Sequence, residues 1–275
     1  MKEYIPVLSI AGSDSSGGAG IQADLKTFAA LGCYGMTVIT ATTAQNTKGV
    51  TAIHSIPPAH IKEQLLAIMD DIKPKAIKIG MLDRPEVVDV LVGILIDFPD
   101  IPIVFDPVMV STSGFKLIQD ETIKAIREKL FPLVSLLTPN MDETSILFGK
   151  EVNDIESMKA AGASLLQELP EAILIKGGHL KESVIHDLLY SKSNGLKIFK
   201  SEKITSQNVH GTGCSLSAAI AVGLALGKDM ENAVCFGRDY VNKAIFYGKD
   251  VKTGNGNGPL NHFFNPQKQI INEMD

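Results

Sequence analysis

Six short apolar runs, none of them alternating, constrain this chain more than any other feature. They fall at 5–11 (IPVLSIA), 36–42 (MTVITAT), 76–81 (AIKIGM), 101–107 (IPIVFDP), 133–139 (LVSLLTP) and 172–178 (AILIKGG). A strand with one wetted face alternates apolar and polar residues. A strand covered on both faces is apolar throughout, as in a parallel sheet with helices on either side. The stretches between the runs supply such helices: Ile21, Leu25, Phe28 and Leu31 mark one helical face, and 59–72, 85–98, 121–130 and 154–168 have the same character. Strand followed by helix, repeated, predicts an α/β fold. VIHDLLY (184–190) and LKIFKS (196–201), joined by SKSNG, predict a hairpin appended to the sheet, and helices at 213–226 and 229–248 close the chain.

No repeat, low-complexity tract or shift in composition marks a linker, so the 275 residues read as one domain, 1–275. A net charge of −5 with no basic cluster excludes a nucleic-acid surface, which needs concentrated Lys and Arg. Cys33, Cys214 and Cys235 are odd in number and match no zinc spacing, which implies neither a disulfide framework nor a metal cage. The first residues hold too short an apolar run for a signal peptide, and no run reaches the roughly 18 apolar residues of a membrane span. A soluble cytoplasmic protein is expected, with no membrane partner.

In an open parallel sheet, ligands bind beyond the carboxyl ends of the strands. AGSDSSGGAG (11–20) follows the first run and feeds a helix carrying Asp24, but it is neither a P-loop nor a dinucleotide fingerprint. TTAQNTKG follows the second, where Gln45 offers both donors and acceptors to a heteroaromatic ring. Met81 after the third run would make a flexible apolar wall, and Asp106-Pro107-Val108 puts a carboxylate at the end of the fourth. In TPNMDE, Asn140 and Glu143 stand three apart at a helix start, which fits a reciprocal helix cap as well as a magnesium-linked pair. Lys176-Gly177-Gly178-His179 ends the sixth run, and a lysine there needs an anion such as a nucleotide phosphate. His179 and His210 stay outside the expected mechanism.

The remaining candidate is VHGTGCSLSAAIAVGLAL (209–226). Glycines at a helix start let a phosphate approach the unpaired N–H groups and the positive end of the dipole, with Cys214 in the first turn. A thiol pKa near 8.5, lowered by up to about 2 kcal/mol of dipole interaction, predicts a largely ionised Cys214.

AGSDSSGGAGIQADLKT, DPVM, TPNMDE, KGGH and NVHGTGCSLSAA, in that order across nearly the whole chain, resemble the ribokinase superfamily, and within it the hydroxymethylpyrimidine/phosphomethylpyrimidine kinases of thiamin biosynthesis. The resemblance implies a three-layer α/β/α fold with a largely parallel central sheet. It also implies an anion hole from Gly211, Thr212, Gly213 and Cys214, with Cys214 as catalytic base. It places Gly12, Asp24, Gln45, Met81 and Val108 around the substrate. Asp106, Glu143, Lys176, Gly177 and Thr212 fall on the ATP side, with Asp106, Asn140 and Glu143 around Mg2+ through water. ATP, hydroxymethylpyrimidine and its phosphate are the implied partners, in a homodimer.

MVSTSGFKLIQ (109–119) reads as a flap over the site, where similar pyridoxal kinases carry a cysteine and this chain has Ser111 and Thr112. The difference favours the pyrimidine substrate over pyridoxal or pyridoxine. GNGNGPLNHFF (254–264) reads as a loop near the nucleotide. A nucleotide-binding regulator without turnover, and a hydrolase using Cys214 with His210, are the alternatives from other classes.

Overall fold

A computed structural model describes residues 2–109, 118–169, 171–178 and 183–273. The chain opens with a short β1 (Lys2–Tyr4), then β2 (Pro6–Asp14), α1 (Gly20–Ala30), β3 (Tyr34–Asn46), β4 (Gly49–Ser55) and α2 (Pro58–Met69). β5 (Ala76–Ile79), α3 (Pro85–Leu95), β6 (Ile103–Phe105) and α4 (Asp120–Ala125) follow, and α4 passes into one wider π turn at Ile126–Leu130. Next come β7 (Leu136–Leu137), α5 (Met141–Phe148), α6 (Ile155–Leu165), β8 (Ala172–Ile175), β9 (Val184–Ser191) and β10 (Gly195–Glu202). α7 (Thr212–Ala225), α8 (Met230–Gly248) and β11 (Ile271–Glu273) complete the described chain.

One nine-stranded sheet runs β10-β9-β8-β7-β6-β5-β2-β3-β4, and β11 pairs separately with β1. The six strands expected from the apolar runs lie at its centre and are parallel, while β4, β9 and β10 add antiparallel edges. Strand parity sends Leu8, Ile10, Ile77 and Ile79 to a core shared with α2, α3, α5 and α6. Val7, Ala76, Val104 and Leu174 face the opposite way, into a core with α1, α7 and α8. This is the expected three-layer α/β/α arrangement, with the predicted hairpin at one edge.

Three features differ from the sequence expectation. β3 runs on to Asn46, so Gln45 lies in a strand rather than a loop, and β4 returns beside it after Thr47 and Lys48. β4 is mostly exposed and lacks the apolar run that marks a buried strand. The third is the glycine-rich tail, which is a brace. Thr47 at the β3–β4 turn accepts hydrogen bonds from Gly256 N–H at its hydroxyl and from Asn257 N–H at its carbonyl, at 3.1 and 2.9 Å. His210 N–H donates to Gly258 O at 3.0 Å, so the tail secures the turn that precedes α7.

Candidate active site

A cleft of about 860 Å³ opens at the carboxyl ends of the parallel strands. The strands and the turns after them line it in succession: Gly12 and Asp14 from β2, Gln45 from β3, and Met81 after β5. Asp106 and Val108 follow β6, Asn140 and Glu143 lie at the start of α5, and Lys176 follows β8. α7 closes the floor with Thr212, Gly213 and Cys214.

The start of α7 leaves backbone N–H groups open toward the cleft. Gly211 caps it in the left-handed region, φ 84°, and a side chain there would come within 1.8 Å of Gly18 O. Thr212 N–H and Oγ donate to Val209 O at 3.2 and 2.7 Å, so Thr212 tightens the turn instead of offering its N–H to a ligand. Gly213 and Cys214, within the first three positions of the helix, retain N–H groups with no intrahelical acceptor. A methyl group on Gly213 would sit 3.2 Å from Lys176 Nζ and 3.5 Å from Asp106 Oδ2, so glycine keeps the turn open beside these charges.

Lys176 Nζ donates to Asp106 Oδ1 at 2.7 Å and lies 4.0 Å from Glu143 Oε2. Burial opposes its charge, yet the two carboxyls hold the ammonium above its ordinary pKa. Asn140 and Glu143 form the reciprocal cap: Glu143 N–H donates to Asn140 Oδ1 at 2.9 Å and Asn140 N–H to Glu143 Oε2 at 2.7 Å. Burial pushes the Glu143 carboxyl up to about 7 against the attraction of Lys176. Among the described residues, no three His, Cys, Asp or Glu side chains gather as a metal cage. Asp106 and Glu143 still fit magnesium, since two buried hard oxygen donors share one lysine, and this ion keeps much of its water and takes phosphate oxygens as ligands.

Three expectations are corrected. Asp24 does not line the cleft: it is 0% exposed, and its Oδ2 accepts from Ser9 Oγ at 2.5 Å and Lys78 Nζ at 2.9 Å. Gly177 N–H donates to Asp187 Oδ1 at 2.9 Å and is thus spent within the protein, while Gly178 faces the cleft. Cys214 is not a ready thiolate. Burial pushes its thiol up to about 11, with Lys78 and the N–H of Gly20 pulling the other way and Asp24 and Asp106 adding to the rise. The flap, with Ser111 and Thr112, lies outside the described residues between 110 and 117, as does His179.

Sequence reasoning missed Asp14 and His210. Asp14 Oδ2 accepts from Gly18 N–H, Ala19 N–H and His210 Nε2 at 3.0, 2.8 and 2.9 Å, and its Oδ1 accepts from Ser16 N–H and Oγ. Burial opposes ionisation, but these bonds hold the carboxyl well below the ordinary range. One carboxylate therefore ties the loop after β2 to the residue before Gly211. The signal was the SDSSGG turn itself, in which a short carboxylate folds back onto following N–H groups.

Fold and cleft together define an α/β phosphotransferase, with a helix N-terminus, a lysine and two carboxyls meeting beside a small pocket. A phosphomethylpyrimidine kinase family model matches residues 14–261, and the chain belongs to that family. It is 43% identical over 257 residues to the hydroxymethylpyrimidine/phosphomethylpyrimidine kinase of Rhizobium meliloti (strain 1021), covering 93% of this chain and 96% of that protein. Some relatives are longer: the chain spans about half (51%) of the thiamine biosynthetic bifunctional enzyme of Arabidopsis thaliana, to which it is 44% identical over 95% of its own length. The crystal structure of phosphomethylpyrimidine kinase from Clostridium difficile 630 shares 44% identity at a TM-score of 0.77, covering 88% of this chain and 99% of that one. Pyridoxal kinase from Staphylococcus aureus, in complex with AMP-PCP and pyridoxal, shares 31% at a TM-score of 0.86, covering 99% of this chain and all of that one.

Proposed function

We propose that this chain, acting as one unit, transfers the γ-phosphoryl group of ATP to 4-amino-5-hydroxymethyl-2-methylpyrimidine and then to the resulting monophosphate, two steps of thiamin biosynthesis. The observation that carries this reading is the meeting, at one end of the cleft, of the free N–H groups of α7, Lys176, Asp106, Glu143 and Cys214. Gly12, Gln45, Met81 and Val108 wall the adjoining space. Gln45 supplies the amide that reads a ring nitrogen or amine, and Met81 and Val108 supply the faces against which a flat ring packs. The substrate hydroxymethyl group then points at Cys214 and the start of α7.

The nucleoside part of ATP runs the other way, along Ile204, Val209, Val241, Asn242 and Ile245, which also line the cleft. Its γ-phosphate meets the N–H groups of Gly213 and Cys214, and Lys176 offsets the charge that spreads over the transferring oxygens. Magnesium, which Asp106 and Glu143 would hold through water, supplies further neutralisation of phosphate charge. Cys214, in the first turn of α7, takes the proton of the substrate hydroxyl. In the second round the attacking group is a phosphate oxygen that is already ionised, so that step requires no proton acceptor.

The test is an ATP-consumption assay with magnesium, comparing the hydroxymethyl pyrimidine with pyridoxal and identifying products by mass. A monophosphate followed by a diphosphate from the pyrimidine is expected. Phosphorylation of pyridoxal alone would overturn the choice of substrate and leave the phosphotransfer site standing.

A further inference from the structure

β5 carries a lysine in the middle of the sheet that lines the cleft, and the reaction as described gives it no task. Strand parity puts Lys78 on the face covered by α1 and α7, since Ala76 faces that way and Ile77 and Ile79 face the other. In register beside it on β2 stands Ser9. Asp24 of α1 reaches both, accepting from Lys78 Nζ at 2.9 Å and from Ser9 Oγ at 2.5 Å on the same oxygen. Lys78 and Asp24 are both 0% exposed. An ion pair this deep gains little net stability over apolar residues of the same volume, so packing alone does not account for it.

Its position does. Lys78, Gly80 and Cys214 all line the cleft. Gly80 keeps the space beside the ammonium free of a side chain: one there would lie 3.0 Å from Lys78 Nζ and 3.0 Å from Ala11 Cβ. Asp24 takes one of the three ammonium donors. The charged groups around Cys214 are Lys78 from β5, Asp24 from α1, Asp106 after β6 and Lys176 after β8, together with the N–H of Gly20 at the start of α1. Lys78 is the strongest of these in favouring an anionic sulfur.

We propose that Lys78 is a positioning residue that supplies the fixed positive charge against which Cys214 gives up and takes back a proton, with Asp24 and Ser9 holding the ammonium in place. This rests on the reading of Cys214 as proton acceptor. The thiol first releases its proton to water. As the substrate oxygen bonds to the γ-phosphorus, the bond from that phosphorus to the ADP oxygen breaks and the hydroxyl proton passes to the sulfur. Lys78 keeps its own proton throughout: burial disfavours its charge, but Asp24, Cys214 and Asp106 together outweigh it.

The experiment is alkylation of Cys214 by iodoacetamide at pH 8.5, followed by peptide mass and needing no turnover. It is run in a Cys235→Ser background because Cys235 is exposed. Lys78→Met removes the charge, and the double variant Lys78→Met/Asp24→Leu removes the whole pair without stranding a buried carboxylate. Lys78→Met is expected to alkylate about tenfold or more slowly, since each unit rise in thiol pKa costs a factor of ten in thiolate, and the double variant, which also loses the opposing Asp24 charge, to be slower than the parent by a smaller factor. Asp24→Asn, which keeps the ammonium, is expected to alkylate as fast as the parent or faster. The double variant should also lose the first phosphorylation far more than the second. A double variant with the parent's melting temperature and alkylation rate would overturn the proposal, as would equal loss of both phosphorylations. Slowed alkylation in a protein whose parent phosphorylates no pyrimidine would sustain the coupling of Lys78 to Cys214 and remove the kinase reading instead.

Discussion

At Cys214 two general effects oppose each other, and their magnitudes decide the outcome. A helix N-terminus favours a thiolate by at most about 2 kcal/mol, or about one and a half pKa units, whereas burial can raise a thiol by as much as 3 to 5 units. Burial wins, and the thiol is pushed up to about 11. Alkylation of Cys214 is therefore expected to keep accelerating with pH up to about 11, where a free cysteine would level off near 8.5; a plateau by pH 9 would contradict this. Cys214→Ala removes the proton acceptor and leaves the pocket. General-base contributions are typically about 10²- to 10⁴-fold, so the first phosphorylation should fall by that order while the second, from an ionised phosphate, changes little. Equal losses would count against the base role. At the neighbouring Gly213, Ala would press a methyl toward Lys176 Nζ, 3.2 Å away, and is expected to raise the KM for ATP severalfold with little change in melting temperature.

The start of α7 depends on three segments distant in sequence. Asp14 binds His210, Gly18 O sits against Gly211, and Gly258 O accepts the His210 N–H. Gly211→Ala meets both obstacles at once: φ 84° costs a residue with a side chain about 1–2 kcal/mol, and its methyl overlaps Gly18 O. The variant should melt several degrees lower and lose protection of Cys214 by ATP; unchanged protection would show that the turn does not depend on this contact. Elements of this kind were unevenly legible. The central strands, the late hairpin and the two closing helices follow from apolar runs and turn residues within ten or twenty positions. The GTGC turn was legible because an anion site at a helix start is a local pattern. β4 was not, since an exposed edge strand carries no apolar run. The Lys78–Asp24 pair was hidden because it joins residues 54 apart where α1 packs on the sheet, and only the family resemblance had given Asp24 a place, around the substrate.

Across the whole molecule, the tail joins the α1–α7–α8 layer through His262. Its Nε2 lies 2.9 Å from Ser215 Oγ, one residue after Cys214, and its carbonyl accepts from Tyr240 Oη of α8 at 3.0 Å. Burial, with the charge of Lys26, pushes the imidazole down to about 4, whereas in the unfolded chain it titrates near 6.5. The folded state therefore prefers neutral His262. This contribution is complete above about pH 6.5 and is lost as pH falls from there toward 4, on the order of 3 kcal/mol in total. Glu143, pushed up to about 7, works in the opposite sense, because a folded-state carboxyl that holds its proton more tightly gains stability on acidification. The two overlap in pH, so the effect of His262 is read as a difference. Urea midpoints for the parent and His262→Gln are compared at pH 7.5, 5.5 and 4. The variant should be less stable than the parent at pH 7.5, and the gap should close toward pH 4, since the uncharged amide has no proton to take up. A gap that stays constant across the three values would mean that the imidazole is not held neutral, and that the tail is fastened by its backbone contacts alone.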